Sequence, residues 1–300
     1  MERAAALRLG CPVWACTAWR GSLFTRRASR DDYLPQYASV FDAVEGNSTF
    51  YGLPTEATVA RWREQVPAHF RFCFKFPQVV THRMLLRYAD AETSEFLFLL
   101  EPLRDRLGPL LLQLPPNFGA ADLHVLTHYL DGLPNGFEYA VEVRHPEFFD
   151  GGAFESALDD ALRERSVARV SFDATCLFED PALDDATRDA IRRKPRLPLR
   201  HTATNATPVV RFVGRNDPEP CRDALRGWAE VVARWIAEGR SPYFFTHAPD
   251  DAHAPALARV AHACFAERVA GLAALPPFPG EHEAPVASGA EEMPRQSELF

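Results

Sequence analysis

Val40-Phe-Asp-Ala-Val-Glu-Gly-Asn-Ser-Thr-Phe-Tyr51 begins apolar and ends in a row of polar side chains. Phe137-Glu-Tyr-Ala-Val-Glu-Val-Arg-His-Pro146 has the same design. Working outward from these two, short apolar runs recur at residues 7–13, 41–46, 70–76, 110–114, 138–143, 168–172, 209–213 and 243–246. They are rich in Val, Leu and Phe with little alternation, which suits strands covered on both faces of a parallel sheet. Helical spacing fills the gaps at 55–65, 91–107, 121–133, 153–165, 220–238 and 253–270. Strand followed by helix, repeated over about 260 residues, predicts an α/β fold: a single closed (β/α)8 barrel of the TIM type. Such a fold places its site at the C-terminal ends of the strands. The doubly wound alternative is weakened because no G-x-G-x-x-G follows the first run.

Composition narrows the function. The chain has 300 residues, 47% hydrophobic and 25% charged, as expected for a globular domain with a large core. Residues 1–275 read as that domain. Residues 276–300 are rich in Pro and Glu and read as a disordered tail. The net charge of −8 argues against broad, nonspecific nucleic-acid binding. No apolar run is long enough to span a membrane, and Met1–Arg8 lacks a greasy leader, so the expected location is cytoplasmic. Cys11, Cys16, Cys73, Cys176, Cys221 and Cys264 are scattered without a C-x-x-C pair, which predicts buried free thiols. Arg188, Arg192, Arg193, Lys194, Arg196 and Arg200 cluster around one acid, Asp189. They read either as a solvated surface loop or as a phosphate-contacting patch.

Several strand ends carry reactive groups. Alternation along a strand puts Glu45 and Asn47 on one side, and Glu142 and Arg144 on one side. Lys75 is one of two lysines in the chain and sits among phenylalanines. Burial there would depress its pKa and fit it to act as a base or an electrophile, although pairing with Glu45 or Glu142 is an equal reading. His82 follows the third run, Gln113 ends the fourth, Asp173 the sixth and His247 the eighth. Glu142, Lys75, His82, Glu45 and Asp173 are therefore the catalytic candidates. Asn47, Tyr51, Gln113, Arg144, Arg211 and Arg215 are the substrate-binding candidates, and the arginines suit a carboxylate or phosphate. His82, Glu142, His145 and Asp173 are the candidate ligands for a divalent metal, with Glu45 and His247 behind them. The chain has no H-x-H or H-E-x-x-H spacing to support that set. A nucleophilic serine elbow, G-x-S-x-G, is also missing.

The order of four segments resembles a known family. They are Val44-Glu-Gly-Asn-Ser-Thr-Phe-Tyr51 followed by Pro54, Trp62 and Pro67; Phe72-Cys-Phe-Lys75 with Thr81-His82; Gly108-Pro-Leu-Leu-Leu-Gln-Leu-Pro-Pro116; and Ala140-Val-Glu-Val-Arg-His145. Together they resemble the YecE-like family, domain of unknown function 72, over roughly residues 7–270. The resemblance implies a TIM-type barrel and no established activity. It places Glu45, Asn47, Tyr51, Lys75, His82, Gln113, Glu142, Arg144 and Asp173 at the family's polar strand-end positions. The chain departs from the family pattern in Val213-Gly-Arg215 (often His-Gly-Arg), in Thr246-His-Ala-Pro249, and in Cys11-Pro-Val-Trp14.

The tail ends Gln296-Ser-Glu-Leu-Phe300, which resembles the short peptide that docks bacterial replication and repair proteins on the sliding clamp. Gln296 would fix the register, and Leu299 and Phe300 would fill an apolar pocket. The resulting expectation is a hydrolase, in the first instance a phosphodiesterase linked to DNA maintenance. The alternatives are a metal-free enzyme acting on a sugar or small acid, and a noncatalytic adaptor whose strand-end site holds a small anionic or nucleic-acid-derived ligand.

Overall fold

The computed structural model describes residues 6–179 and 184–282. Eight parallel strands are present: β1 (Arg8–Gly10), β2 (Ala43–Gly46), β3 (Arg71–Phe74), β4 (Leu110–Gln113), β5 (Tyr139–Glu142), β6 (Ala168–Asp173), β7 (Val209–Val213) and β8 (Tyr243–His247). Every one falls in an expected run. Their side chains are nearly all buried on both faces, which is why the runs are apolar rather than alternating.

The expected closed TIM-type barrel is corrected. The strands form a six-stranded half-barrel sheet, ordered β1-β8-β7-β6-β5-β4, and a separate two-stranded sheet, β2-β3. A specific cause interrupts the ladder at each seam. Between β1 and β2 the Tyr37 hydroxyl takes the Cys11 N–H at 2.6 Å and donates to the Ala43 carbonyl at 2.9 Å, occupying groups that a ladder would pair directly. The backbones approach so closely there that a Cβ on Gly10 would lie 2.0 Å from the Ala43 oxygen. Between β3 and β4 only two isolated bridges form, Phe72 with Leu107 and Lys75 with Leu111. Three residue steps on one side thus match four on the other. That extra residue acts as a bulge and breaks the register.

The helices are α1 (Arg30–Ala38), α2 (Ser48–Tyr51), α3 (Glu56–Gln65), α4 (Asp90–Leu100), α5 (Leu123–Asp131), α6 (Ala153–Glu164), α7 (Thr175–Phe178), α8 (Asp185–Arg193), α9 (Arg222–Ala237) and α10 (Ala254–Ala266). Thr55 caps α3 by accepting from the Thr58 N–H at 3.2 Å. Neither α1 nor α8 is evident in the apolar pattern. α1 is stabilised locally, with the Asp32 carboxylate accepting from the Ser29 N–H at 2.8 Å. α8 is capped by Asp184, which accepts from the Thr187 N–H at 2.8 Å. The basic cluster expected on a loop is thus partly helical, with Arg188 paired to Asp185 and Arg193 to Asp189.

One further expectation is corrected. Cys176 and Cys221 form a disulfide across 45 residues and tie α7 to the turn before α9, so not all six cysteines are free thiols. Beyond residue 275, residues 276–282 are among those described. Phe278 is buried against Phe41, and Arg259 lies 3.7 Å from the Phe278 ring centroid while gripping Glu281. Residues 283–300, including Gln296, Leu299 and Phe300, lie outside the described residues. Among the described residues no helix is long and apolar enough to cross a membrane.

Candidate functional site

Polar groups collect where β2, β4, β5, β7 and β8 end and where β3 runs into Lys75. Arg211, in the middle of β7, is the hub. Its Nε donates to Glu45 Oε2 at 2.7 Å, its Nη2 to Glu45 Oε1 at 2.9 Å, and its Nη1 to Glu142 Oε2 at 2.5 Å. Arg144 donates through Nε to Glu142 Oε1 at 2.7 Å. Lys75 Nζ donates to Gln113 Oε1 at 3.0 Å and lies 3.3 Å from Glu45 Oε1. His247 Nε2 contacts Glu45 Oε2 at 3.1 Å. Glu45, Glu142 and Arg211 are almost completely buried, so each charge depends on the others to offset its desolvation.

Electrostatics assigns distinct states to these groups. Burial pushes the Glu142 carboxyl up, but Arg211, Arg144 and Lys75 outweigh it and hold the pKa at about 2. Glu45 behaves likewise: burial opposes ionisation, yet Arg211 keeps it well below the usual carboxylate range. Neither carboxylate can therefore serve as a general acid near neutrality. Burial drives His247 down to about 4, so its imidazole is neutral. Lys75 is lowered to about 8, first by burial and then by Arg211.

Above this floor opens a cavity of about 620 Å³. Lys75, Gln113, Arg144, Arg211, His247, Asn47 and Tyr51 all line it, as does Lys194. Burial and the nearby Arg211 and Arg144 lower Lys194 to about 8 as well. Both lysines of the chain thus face one pocket. Asn47 donates through Nδ2 to the Pro12 carbonyl at 2.9 Å, while its Oδ1 is buried with no hydrogen-bond partner. Tyr51 stands 83% exposed at the mouth, edge-on to Phe50, with ring centroids 5.1 Å apart.

The remaining sequence candidates do not line the pocket. His82 lies in a π-helical turn, bonded through Nδ1 to Thr81 Oγ1 at 2.9 Å and edge-on to Phe50, and its pKa is lowered by burial and then by Arg144 and Lys75 of the site. Asp173 is occupied: one oxygen accepts from the Trp228 indole N–H at 2.7 Å and the other from the Thr175 N–H at 2.8 Å. Arg215 donates to the Cys176 carbonyl at 2.9 Å. His145 accepts from the Glu147 N–H at 3.3 Å, outside the pocket. His82, Glu142, His145 and Asp173 therefore do not converge. Among the described residues no three His, Cys, Asp or Glu side chains are grouped to hold a metal ion. Lys194 enters the sequence reading only as a member of the basic cluster, not as a strand-end candidate. Its signal was its rarity: a second lysine in a chain that otherwise uses arginine.

Comparison with known proteins places this geometry in a lineage. A family model described as "Protein of unknown function DUF72" matches residues 8–282. UPF0759 protein YecE of Escherichia coli K12 is 39% identical over 271 residues, covering 90% of this chain and 97% of that protein. UPF0759 protein YecE of Escherichia coli O157:H7 is 38% identical over the same length. A DUF72 family protein from Thermotoga maritima MSB8 superposes with a TM-score of 0.66 at 23% identity, covering 84% of this chain and 96% of that one. One from Enterococcus faecalis V583 gives a TM-score of 0.64 at 19% identity, covering 86% and 95%. At those identities the two structures establish likeness of fold. The matched span and the identity to the Escherichia coli proteins go further: this chain belongs to the DUF72 family.

Proposed function

We propose that the pocket binds a small phosphate- or carboxylate-bearing substrate and that Lys75 transfers a proton to or from it. The crowding of cationic side chains in one pocket carries this reading. Lys75, Lys194, Arg144, Arg193 and Arg211 line the pocket against Asp189 and Asp251 in its wall and Glu45 and Glu142 beneath it, and both lysines are lowered first by burial and then by the arginines. Among the described residues, five cationic side chains against four carboxylates leave room for an anion, and an anionic ligand relieves the repulsion that the arginines exert on the lysines. Lys75, titrating near 8, is the group matched to acid–base work near neutrality. Calorimetric titration of inorganic phosphate and of a short carboxylic acid tests the reading. Saturable binding that weakens in K194A supports it, and absence of saturation at millimolar ligand removes it.

A second reading rests on the Gln296-Ser-Glu-Leu-Phe300 terminus. Here the same cations hold a nucleic-acid phosphate, the reaction is phosphodiester hydrolysis, and Gln296, Leu299 and Phe300 dock on a sliding clamp. Activity on a phosphodiester that survives a chelator sinks the metal-assisted form of this reaction. A noncatalytic adaptor predicts the opposite mutational pattern: E142Q leaves cellular function intact, and removal of Leu299 and Phe300 abolishes it.

A further inference from the structure

We propose that Lys75 forms a covalent imine with the carbonyl carbon of a small aldehyde or ketone that carries a phosphate or carboxylate, an inference that rests on the anion-binding reading above. Three observations on the pocket lead there. First, among the described residues that line it there is no serine, threonine or cysteine, and the one hydroxyl, on Tyr51, stands 83% exposed at the mouth rather than beside the floor. Second, Glu45 and Glu142 are held by Arg211, Arg144 and Lys75, with their oxygens engaged in ion pairs. Third, Lys75 Nζ is fixed between Gln113 Oε1 and Glu45 Oε1 at the base of an open cavity, where a bound carbonyl can reach it. The lowered lysine pKa supports the idea, because only the neutral amine attacks.

The step balances without a redox partner. The Lys75 nitrogen lone pair forms a bond to the carbonyl carbon as the C=O π pair moves to oxygen. A proton passes from nitrogen to that oxygen, giving a carbinolamine. The hydroxyl then takes a second proton, supplied by the Lys194 ammonium or by solvent, and leaves as water while the C=N bond forms. While the amine and the carbinolamine are neutral, Arg211 remains paired with Glu45, and the cationic imine then restores the second positive partner that the ammonium had been.

The test uses the full chain, dihydroxyacetone phosphate and pyruvate as probes, and sodium borohydride to reduce the imine to a stable secondary amine. Peptide mass spectrometry locates the adduct. With two lysines in the chain, the only other competing amine is the N-terminus. The expected result is a saturable adduct on Lys75 with at least one probe, suppressed by inorganic phosphate and lost in K75R, which keeps the charge but cannot form an imine. If K75R fails to fold, the parent protein decides: peptide mass spectrometry must place the adduct on Lys75 and not on Lys194. Phosphate binding without any Lys75 adduct overturns the imine and leaves the anion pocket standing. Neither binding nor an adduct overturns both. Unsaturable labelling spread evenly over Lys75, Lys194 and the N-terminus also overturns the imine.

Discussion

Arg211 grips Glu45 through two parallel hydrogen bonds, of 2.7 and 2.9 Å, with both side chains buried. Removing the guanidinium leaves Glu45 and Glu142 without their shared cation. R211M should cost about 3–5 kcal/mol, the usual penalty for stranding buried charge. Urea denaturation measures it. Adding E45Q and E142Q to R211M should recover part of the loss, because amides tolerate burial without a counter-charge. An R211M protein as stable as the parent would contradict the network described.

Stability should fall in acid, and His247 sets where the fall begins. Its pKa drops from 6.5 to about 4 on folding. Between those values the unfolded chain binds a proton that the folded chain refuses, so stability decreases as pH falls through this window, by roughly 1.4 kcal/mol per pH unit for one group. Below 4.5 Glu142 continues the trend, protonating in the unfolded chain but staying ionised to about 2 in the folded one. Denaturation midpoints recorded from pH 7 to pH 4 should show a flatter slope in H247Q than in the parent.

Chemistry that uses the Lys75 amine should rise with pH through about 8 rather than 10.5. The sign follows from the neutral form being the reactive one. Rates of borohydride-trapped labelling between pH 6.5 and 9.5 give the midpoint. A rate still climbing steeply above pH 9.5 would place the lysine in an ordinary aqueous environment.

Arg144 should matter more to ligand affinity than to folding. It is less buried than Arg211 and touches a single carboxylate of the pair, Glu142. R144Q should weaken phosphate binding about tenfold, equivalent to about 1.4 kcal/mol, the scale of one charge-assisted contact. Titration of the variant against the parent checks it, with the melting temperature as the control for folding.

Much of this site is legible in the sequence because parallel strands read as apolar runs, and a polar residue at the end of such a run must face something. Glu45, Gln113, Glu142 and Arg144 announce themselves in that way, as does Lys75 among its phenylalanines. The same rule misleads at Asp173, whose strand-end position carries no hint that the indole of Trp228, 55 residues later, will occupy it. Lys194 is legible only as one of a basic cluster, because it follows a short polar helix amid arginines that pair with surface acids. The break in the sheet is equally hidden. No local pattern shows that the Tyr37 hydroxyl will stand between two strands, or that Cys176 will find Cys221.

The division of the strands into two sheets gives the buried charges a mechanical role. Glu45 belongs to the two-stranded sheet and Lys75 directly follows it, whereas Gln113, Glu142, Arg211 and His247 belong to the six-stranded one. Where the backbone ladder is interrupted, side-chain charge therefore fastens one sheet to the other. An anion that draws Arg211 or Lys75 toward itself pulls on that fastening. Occupancy of the pocket and the grip between the two sheets are then one equilibrium, and hydrogen exchange along β2 and β3 is where ligand binding would be felt first.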